Sequence, residues 1–97
     1  MKNKIIKIFG DYNSINEHSK FTGKIIFEDR IDCVYYTWSI KSNNGDFLGS
    51  VSMPVSKNII PQKIDEFEFA LKHAIENINQ YKINRIKVFN VYKTVIQ

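Results

Sequence analysis

The chain of 97 residues is short enough to form one domain, and it carries a formal net charge of +4. Hydrophobic residues make up 43% of it and charged residues 25%, which supplies enough apolar surface for a packed core and argues against disorder. No run of about 18 apolar residues is present to cross a bilayer, and lysines interrupt the first apolar residues before a signal-peptide core can form. We therefore expect a single small cytoplasmic domain over residues 1–97 with no membrane partner.

The single cysteine, Cys33, excludes a disulfide framework and a thiolate metal cluster, so burial of apolar side chains must stabilise the fold. Twelve lysines but only two arginines supply the positive charge, although arginine is the residue that reads bases through two donors. Many lysines, isoleucines and asparagines are typical of AT-rich coding in low-GC bacteria and their phages. The middle of the chain is net negative, so the net positive charge is concentrated near the two ends, at Lys2, Lys4, Lys7, Lys82, Arg85, Lys87 and Lys93.

The first predicted element is a strand over residues 4–9, which is rich in isoleucine and is ended by Gly10. Residues 11–20 are dense in side chains that hydrogen-bond their own backbone in turns, so we expect a polar surface loop there. Residues 21–28 alternate apolar and polar side chains, which predicts a half-buried strand, and a tight turn at Asp29-Arg30 is expected to follow it.

The clearest pattern is a β-hairpin, because residues 34–41 alternate and Asn44-Gly45 is the favoured pair of a two-residue type I′ turn. This turn would pair Lys41 with Leu48. It would also place four apolar or glycine pairs on one face: Ile40 with Gly49, Trp38 with Val51, Tyr36 with Met53, and Val34 with Val55. The earlier turn would set Ile25 opposite Val34 and Phe21 opposite Trp38. The pattern predicts a three-stranded antiparallel meander in which Trp38 is buried.

A helix is predicted over residues 65–80 from an apolar stripe at helical spacing, and Asp65 with Glu68 forms a capping-box pattern at its start. Residues 83–96 are rich in β-branched and aromatic residues and predict a final strand. A bulge at Asn90 would swap the faces of this strand and bury Val91 and Val95. The fold class is therefore α+β, an antiparallel sheet in the order β-β-β-β-α-β with one helix packed on one face.

Catalytic candidates are few. Cys33 would need His18 or His73 beside it to act as a nucleophile, and we expect it to be a small residue within a strand. His73 lies off the apolar stripe and is predicted to be a partly exposed surface residue. Asp11 begins a stretch similar to a calcium loop, but an isoleucine takes a ligand position and the required glycine is missing. The sequence predicts no enzyme, no metal and no cofactor.

Binding surfaces are suggested by aromatic and basic residues. Tyr35, Tyr36 and Trp38 are candidates for stacking nucleic-acid bases, but the last two share an apolar face and are predicted to be core. If the final strand is regular and has no bulge, one of its faces mixes basic and apolar side chains, which suits a binding surface. With the basic first strand, the predicted partner-binding residues are Arg85, Lys87, Phe89, Lys93, Lys4 and Lys7.

The stretch from Tyr35 through Gly45 to Pro54, followed by a helix with Ala70-Leu71 and Ala74, resembles the antitoxins of the HicB family. In that family a hairpin precedes a helix with an alanine-leucine-x-x-alanine pattern. The resemblance covers about 40 residues and lacks the family's turn rich in proline and glycine after the hairpin. It implies an antitoxin-like regulator that binds nucleic acid.

Two functional hypotheses follow. The first is a non-catalytic protein-binding module, of the kind that phages or mobile elements use to inhibit a host defence protein. The alternative is a nucleic-acid-binding or HicB-antitoxin-like regulator that uses the basic terminal strands. A hydrolase or nuclease would need a carboxylate or histidine cluster that the sequence does not assemble. We expect a protein partner, because two arginines are too few for base readout and the lysines reflect codon usage.

Overall fold

The computed structural model describes residues 3–14, 17–83 and 86–94. Its strands are β1 (Asn3–Ser14), β2 (Glu17–Asp29), β3 (Cys33–Ser42), β4 (Phe47–Ser56), β5 (Lys82–Ile83) and β6 (Ile86–Thr94). A short 3-10 helix (Lys57–Ile59) and the helix α1 (Glu66–Asn79) lie between β4 and β5. The strands form one antiparallel sheet in the spatial order β4-β3-β2-β1-β6-β5. The predicted α+β class is confirmed, and the predicted last strand is divided into β5 and β6.

Helix α1 lies on one face of the sheet, here called the helix face. It buries Ala70, Leu71, Ala74 and Ile78. The core also contains sheet residues that are essentially inaccessible to solvent: Ile8, Phe21, Ile25, Phe27, Tyr36, Trp38, Ile40, Val55 and Val88. The opposite side, here called the outer face, carries the alternate residues of the same strands, among them Ile5, Lys7, Phe9, Thr22, Lys24, Ser39 and Lys41.

The predicted loop over residues 11–20 is wrong. The strand β1 continues to Ser14 and β2 begins at Glu17, so the two form one long hairpin. Asp11 lies opposite Lys20 and is joined to its ammonium at 3.1 Å, while Tyr12 is buried in the core. These tertiary contacts outweigh the turn propensity of the polar residues in this stretch.

The turn between β2 and β3 lies at Ile31-Asp32, not at Asp29-Arg30 as predicted, because the Arg30 N–H donates to the carbonyl of Cys33 at 2.9 Å. Both pairs predicted from the earlier turn are therefore wrong: Ile25 is opposite Trp38, and Phe21 is opposite Ser42. The shift is four residues, an even number, so each side chain keeps its predicted face.

The hairpin of β3 and β4 has the predicted register in all four pairs from Val34–Val55 to Ile40–Gly49, and Trp38 is buried. Its tip differs from the prediction. The Gly45 N–H donates to the Ser42 carbonyl at 2.9 Å, so the two asparagines occupy the centre of the turn and Gly45 follows with a φ of +92°. The longer loop adds a residue, so Lys41 pairs with Phe47 instead of Leu48.

The strand β6 pairs with β1, which places the first and last strands side by side. The register shifts between Asp11, opposite Asn90, and Tyr12, opposite Val88, so β6 contains a bulge at Phe89, one residue before the predicted Asn90. Val88 is fully buried and Val91 packs half-buried against the core. The bulge therefore turns Val91 toward the core, as predicted for a strand with a bulge. Val95 lies outside the described residues.

The N-terminus of α1 is capped as the sequence predicts, since the Asp65 carboxylate accepts the Glu68 N–H at 3.0 Å. We expect Asp65→Ala to lower the free energy of unfolding by about 0.5–2 kcal/mol, because a helical N–H loses its partner. Urea denaturation measures the change, and Asp65→Ser, which keeps a capping oxygen, serves as the control. Equal losses in the two variants would contradict this role of the carboxylate.

Candidate functional site

The helix face of β3 carries two aromatic side chains whose polar atoms are bound by α1. The Tyr36 hydroxyl lies 2.9 Å from Nδ1 of His73 and 3.4 Å from the Met53 sulfur, and Trp38 Nε1 donates to the Asn77 side-chain oxygen at 2.8 Å. Neither aromatic ring is exposed, so neither is available to stack on bases. His73 is half-buried, and its hydrogen bond satisfies a polar group of the core.

Burial raises the pKa of Tyr36 to about 12. In the unfolded chain this hydroxyl ionises near pH 10, so its contribution to stability is complete below about pH 10 and is lost as the pH rises toward 12. We expect the free energy of unfolding to fall more steeply in this interval for the wild type than for Tyr36→Phe. Urea denaturation at several pH values tests this, and parallel curves for the two proteins would contradict it.

Cys33 is unsuited to nucleophilic catalysis. It is buried at the start of β3, where desolvation and the adjacent Asp32 carboxylate raise the pKa of its thiol. His73 is bound to Tyr36, and His18 is 3.6 Å from Asp11 near the opposite end of β2. Among the residues that the structure describes, no three His, Cys, Asp or Glu side chains are grouped to hold a metal ion.

The predicted partner-binding residues of β1 lie on opposite faces. Lys4 lies on the helix side, with its ammonium 4.1 Å from the centroid of the Phe67 ring, whereas Lys7 lies on the outer face. Lys87 is exposed opposite Asn13, toward the other end of β1. Lys7 and Lys87 are thus separated by six positions along β1, which is about 20 Å at the usual rise of a strand.

The remaining predicted partner-binding residues lie in or near β6. The backbone places Phe89 at the bulge and Lys93 opposite Ile8, which is a helix-face position. Arg85 lies outside the described residues. Pairing of the terminal strands therefore does not gather the described basic residues into one patch. Their role in partner binding stays a prediction.

A different basic cluster forms at the centre of the outer face. Lys7 and Lys24 are directly opposite each other in β1 and β2, and Lys41 lies in the next strand opposite Thr22. All three lysines are exposed, and within the described part of the chain none forms an ion pair. They line a shallow cavity of about 380 Å³, here called the lysine depression, together with Ile5, Thr22, Gly23, Ser39, Ile40 and Phe47.

Carboxylates at the outer-face positions of β1 and β2 are bound elsewhere. Asp11 contacts Lys20 and His18, and Glu28 forms an ion pair with Arg30, whose guanidinium lies over the Tyr35 ring. Because these contacts are local, they leave the positive charge of the lysine depression uncompensated by the described acidic side chains. The depression is the strongest candidate for a binding site in this structure.

Comparison with known proteins adds no family to this description. The chain matches no family model, no curated protein and no solved structure. The similarity to HicB antitoxins therefore rests on the hairpin and the alanine-leucine pattern alone. Within the described ranges, no helix has the length and apolar content that crossing a membrane requires.

Proposed function

We propose that this protein is a non-catalytic binding module and that its partner docks on the outer face of the sheet. The observation that carries the proposal is the mixed character of this face, where unpaired lysines lie beside exposed apolar side chains. Ile5 is 46% exposed, Phe9 47% and Phe47 72%. An exposed sheet face is ordinarily polar, so exposed apolar side chains grouped beside polar ones mark this face as an interaction site.

Both hypotheses from the sequence are consistent with such a face. A protein partner, including a host protein inhibited by a phage or mobile element, would use the exposed apolar side chains as anchors. A nucleic acid would use the lysines, because its affinity for proteins comes mainly from neutralised phosphates. Neither partner requires a reactive group, which is why we propose binding and not catalysis.

A charge reversal at the centre of the face tests the proposal. We expect Lys24→Glu to reduce capture of the cellular partner from an extract at least tenfold, because it introduces a negative charge into the lysine depression. Lys72→Glu makes the same change at an exposed position of α1 and should leave capture unchanged. Extracts with and without nuclease treatment show whether the captured partner is nucleic acid.

Unfolding of the Lys24→Glu variant would not account for its expected loss of partner capture. The glutamate introduced by Lys24→Glu would lie opposite Lys7 and replace a like-charge pair by an opposite-charge pair, which stabilises a sheet by about 0.2–1 kcal/mol. The variant should therefore be at least as stable as the wild type in urea denaturation. Undiminished capture by Lys24→Glu, or an equal loss in Lys72→Glu, would refute the outer face as the docking site.

A further inference from the structure

We infer that the partner of the outer face is single-stranded nucleic acid, bound without sequence preference through phosphates on Lys7, Lys24 and Lys41. This inference rests on the proposed function and names the chemical class of the partner. It also reverses the preference for a protein partner that the composition suggests. Three features of the lysine depression support it: the like-charge pairing, the polar lining and the exposed aromatic side chain beside the lysines.

The pairing of Lys7 with Lys24 is unfavourable in the free protein. The two residues are direct cross-strand partners, and like charges in this position destabilise a sheet. Lys41, in the next strand, adds a third positive charge to the same depression. A bound anion would remove the repulsion, so this arrangement favours a ligand that carries several negative charges at short intervals.

The lining of the depression is typical of contacts to phosphate. Besides the lysines it includes the hydroxyl side chains of Thr22 and Ser39, and lysine, threonine and serine are among the side chains that contact nucleic-acid backbones. The centre of a protein–protein interface is instead depleted in lysine and serine. The composition of this surface therefore favours a nucleic acid over a protein partner.

The exposed apolar side chains at the rim favour a single strand over a duplex. Phe47, 72% exposed, lies opposite Lys41, and Ile5, 46% exposed, precedes Lys7 by two residues on the same face. In a single strand the base faces are free to stack on an aromatic ring such as that of Phe47 and to contact Ile5, whereas a duplex hides these faces. The shortage of arginine agrees with binding that does not read the sequence.

The three lysines lie on three neighbouring strands, which are about 4.8 Å apart in a sheet. A nucleic-acid strand that passes over all three therefore crosses β1, β2 and β3, with Ile5 at one end of its path and Phe47 at the other. Neutralisation of three phosphates in a single strand predicts a slope of about −2 for the logarithm of affinity against the logarithm of salt concentration.

Fluorescence anisotropy with labelled oligo-dT and oligo-U tests the inference on the whole protein. We expect saturable binding at low salt whose affinity falls with a slope of about −2 on logarithmic axes as salt is added. Lys24→Gln should reduce the magnitude of the slope by about 0.7, the contribution of one phosphate contact. Lys72→Gln, the matched control on α1, should leave both affinity and slope unchanged, and Phe47→Ala should weaken binding at an unchanged slope.

Two competitors distinguish the other partner classes. A duplex of the same length should bind more weakly than the single strand, and tighter binding of the duplex would overturn the single-strand assignment. Tighter binding of poly-glutamate than of either oligonucleotide would identify an acidic protein segment and overturn the inference.

Absence of oligonucleotide binding would also overturn the inference. If Lys24→Glu still abolished capture of a nuclease-resistant partner from the extract, the proposed function would stand without the inference. If Lys24→Glu changed neither capture nor oligonucleotide binding, both would fail.

Discussion

Replacement of Trp38 by alanine is expected to lower the free energy of unfolding by about 3–5 kcal/mol, enough to unfold many small domains. The indole is completely buried and packs edge-on against Tyr81, with 5.0 Å between ring centroids. Its removal leaves a cavity between β3 and α1. The Asn77 side-chain oxygen also loses the hydrogen bond that it accepts from Trp38 Nε1 at 2.8 Å. Urea denaturation followed by circular dichroism measures the effect.

Trp38→Phe separates the two contributions, because it retains an aromatic ring and removes the hydrogen bond to Asn77. We expect a loss of stability between those of the wild type and Trp38→Ala. The indole of the native protein should also be shielded from a small aqueous fluorescence quencher. Strong quenching, or a loss below about 1 kcal/mol in the alanine variant, would contradict a core position.

The second large effect is expected for Gly23→Ala. A β-carbon at this position would overlap the backbone carbonyl oxygen of Ser39 and lie 3.0 Å from the side chain of Ile40. Backbone atoms cannot move aside as a flexible side chain can, so β2 and β3 would have to separate locally. We expect a loss of about 3 kcal/mol, which exceeds the gain of about 0.5–1 kcal/mol from the lower flexibility of alanine in the unfolded chain.

Gly45→Ala is the matched control, since it adds the same methyl group where no atom beyond the adjoining residues lies within 4 Å. Its cost should be limited to about 1–2 kcal/mol, because alanine must adopt a φ of +92° there. Thermal or urea denaturation of the two variants gives the comparison. A smaller loss for Gly23→Ala than for Gly45→Ala would show that the sheet tolerates the extra atom.

Much of the fold follows from local sequence patterns. The alternation in β3 specifies its buried face, and that face is preserved even though the β2–β3 register is four residues away from the predicted one. The cap at Asp65 and the apolar stripe of α1 are equally local features. Turn positions are less predictable, because pairing of the whole strand and burial of residues such as Tyr12 decide between competing turns.

The lysine depression could not be derived from the sequence for the same reason. With the predicted turn at Asp29-Arg30, Lys24 would lie opposite Tyr35 and far from Lys41. In the structure Lys24 lies opposite Ser39, two residues from Lys41 in β3. The predicted loop over residues 11–20 also left the pairing of Lys7 with Lys24 undefined. The lysine depression depends on the β1–β2 and β2–β3 registers together. Charge counts along the sequence show only that the net positive charge lies near the two ends of the chain.

The position of β1 between β2 and β6 has a consequence for the order in which the protein folds during synthesis. Strands β1 to β4 each pair with the strand next to them in sequence. The pairing of β1 with β6 instead joins the first and last strands and closes a much longer loop. The meander can therefore form on the ribosome while β1 is still an edge strand. Until β6 is synthesised, that edge has unpaired backbone groups that can pair with another nascent chain.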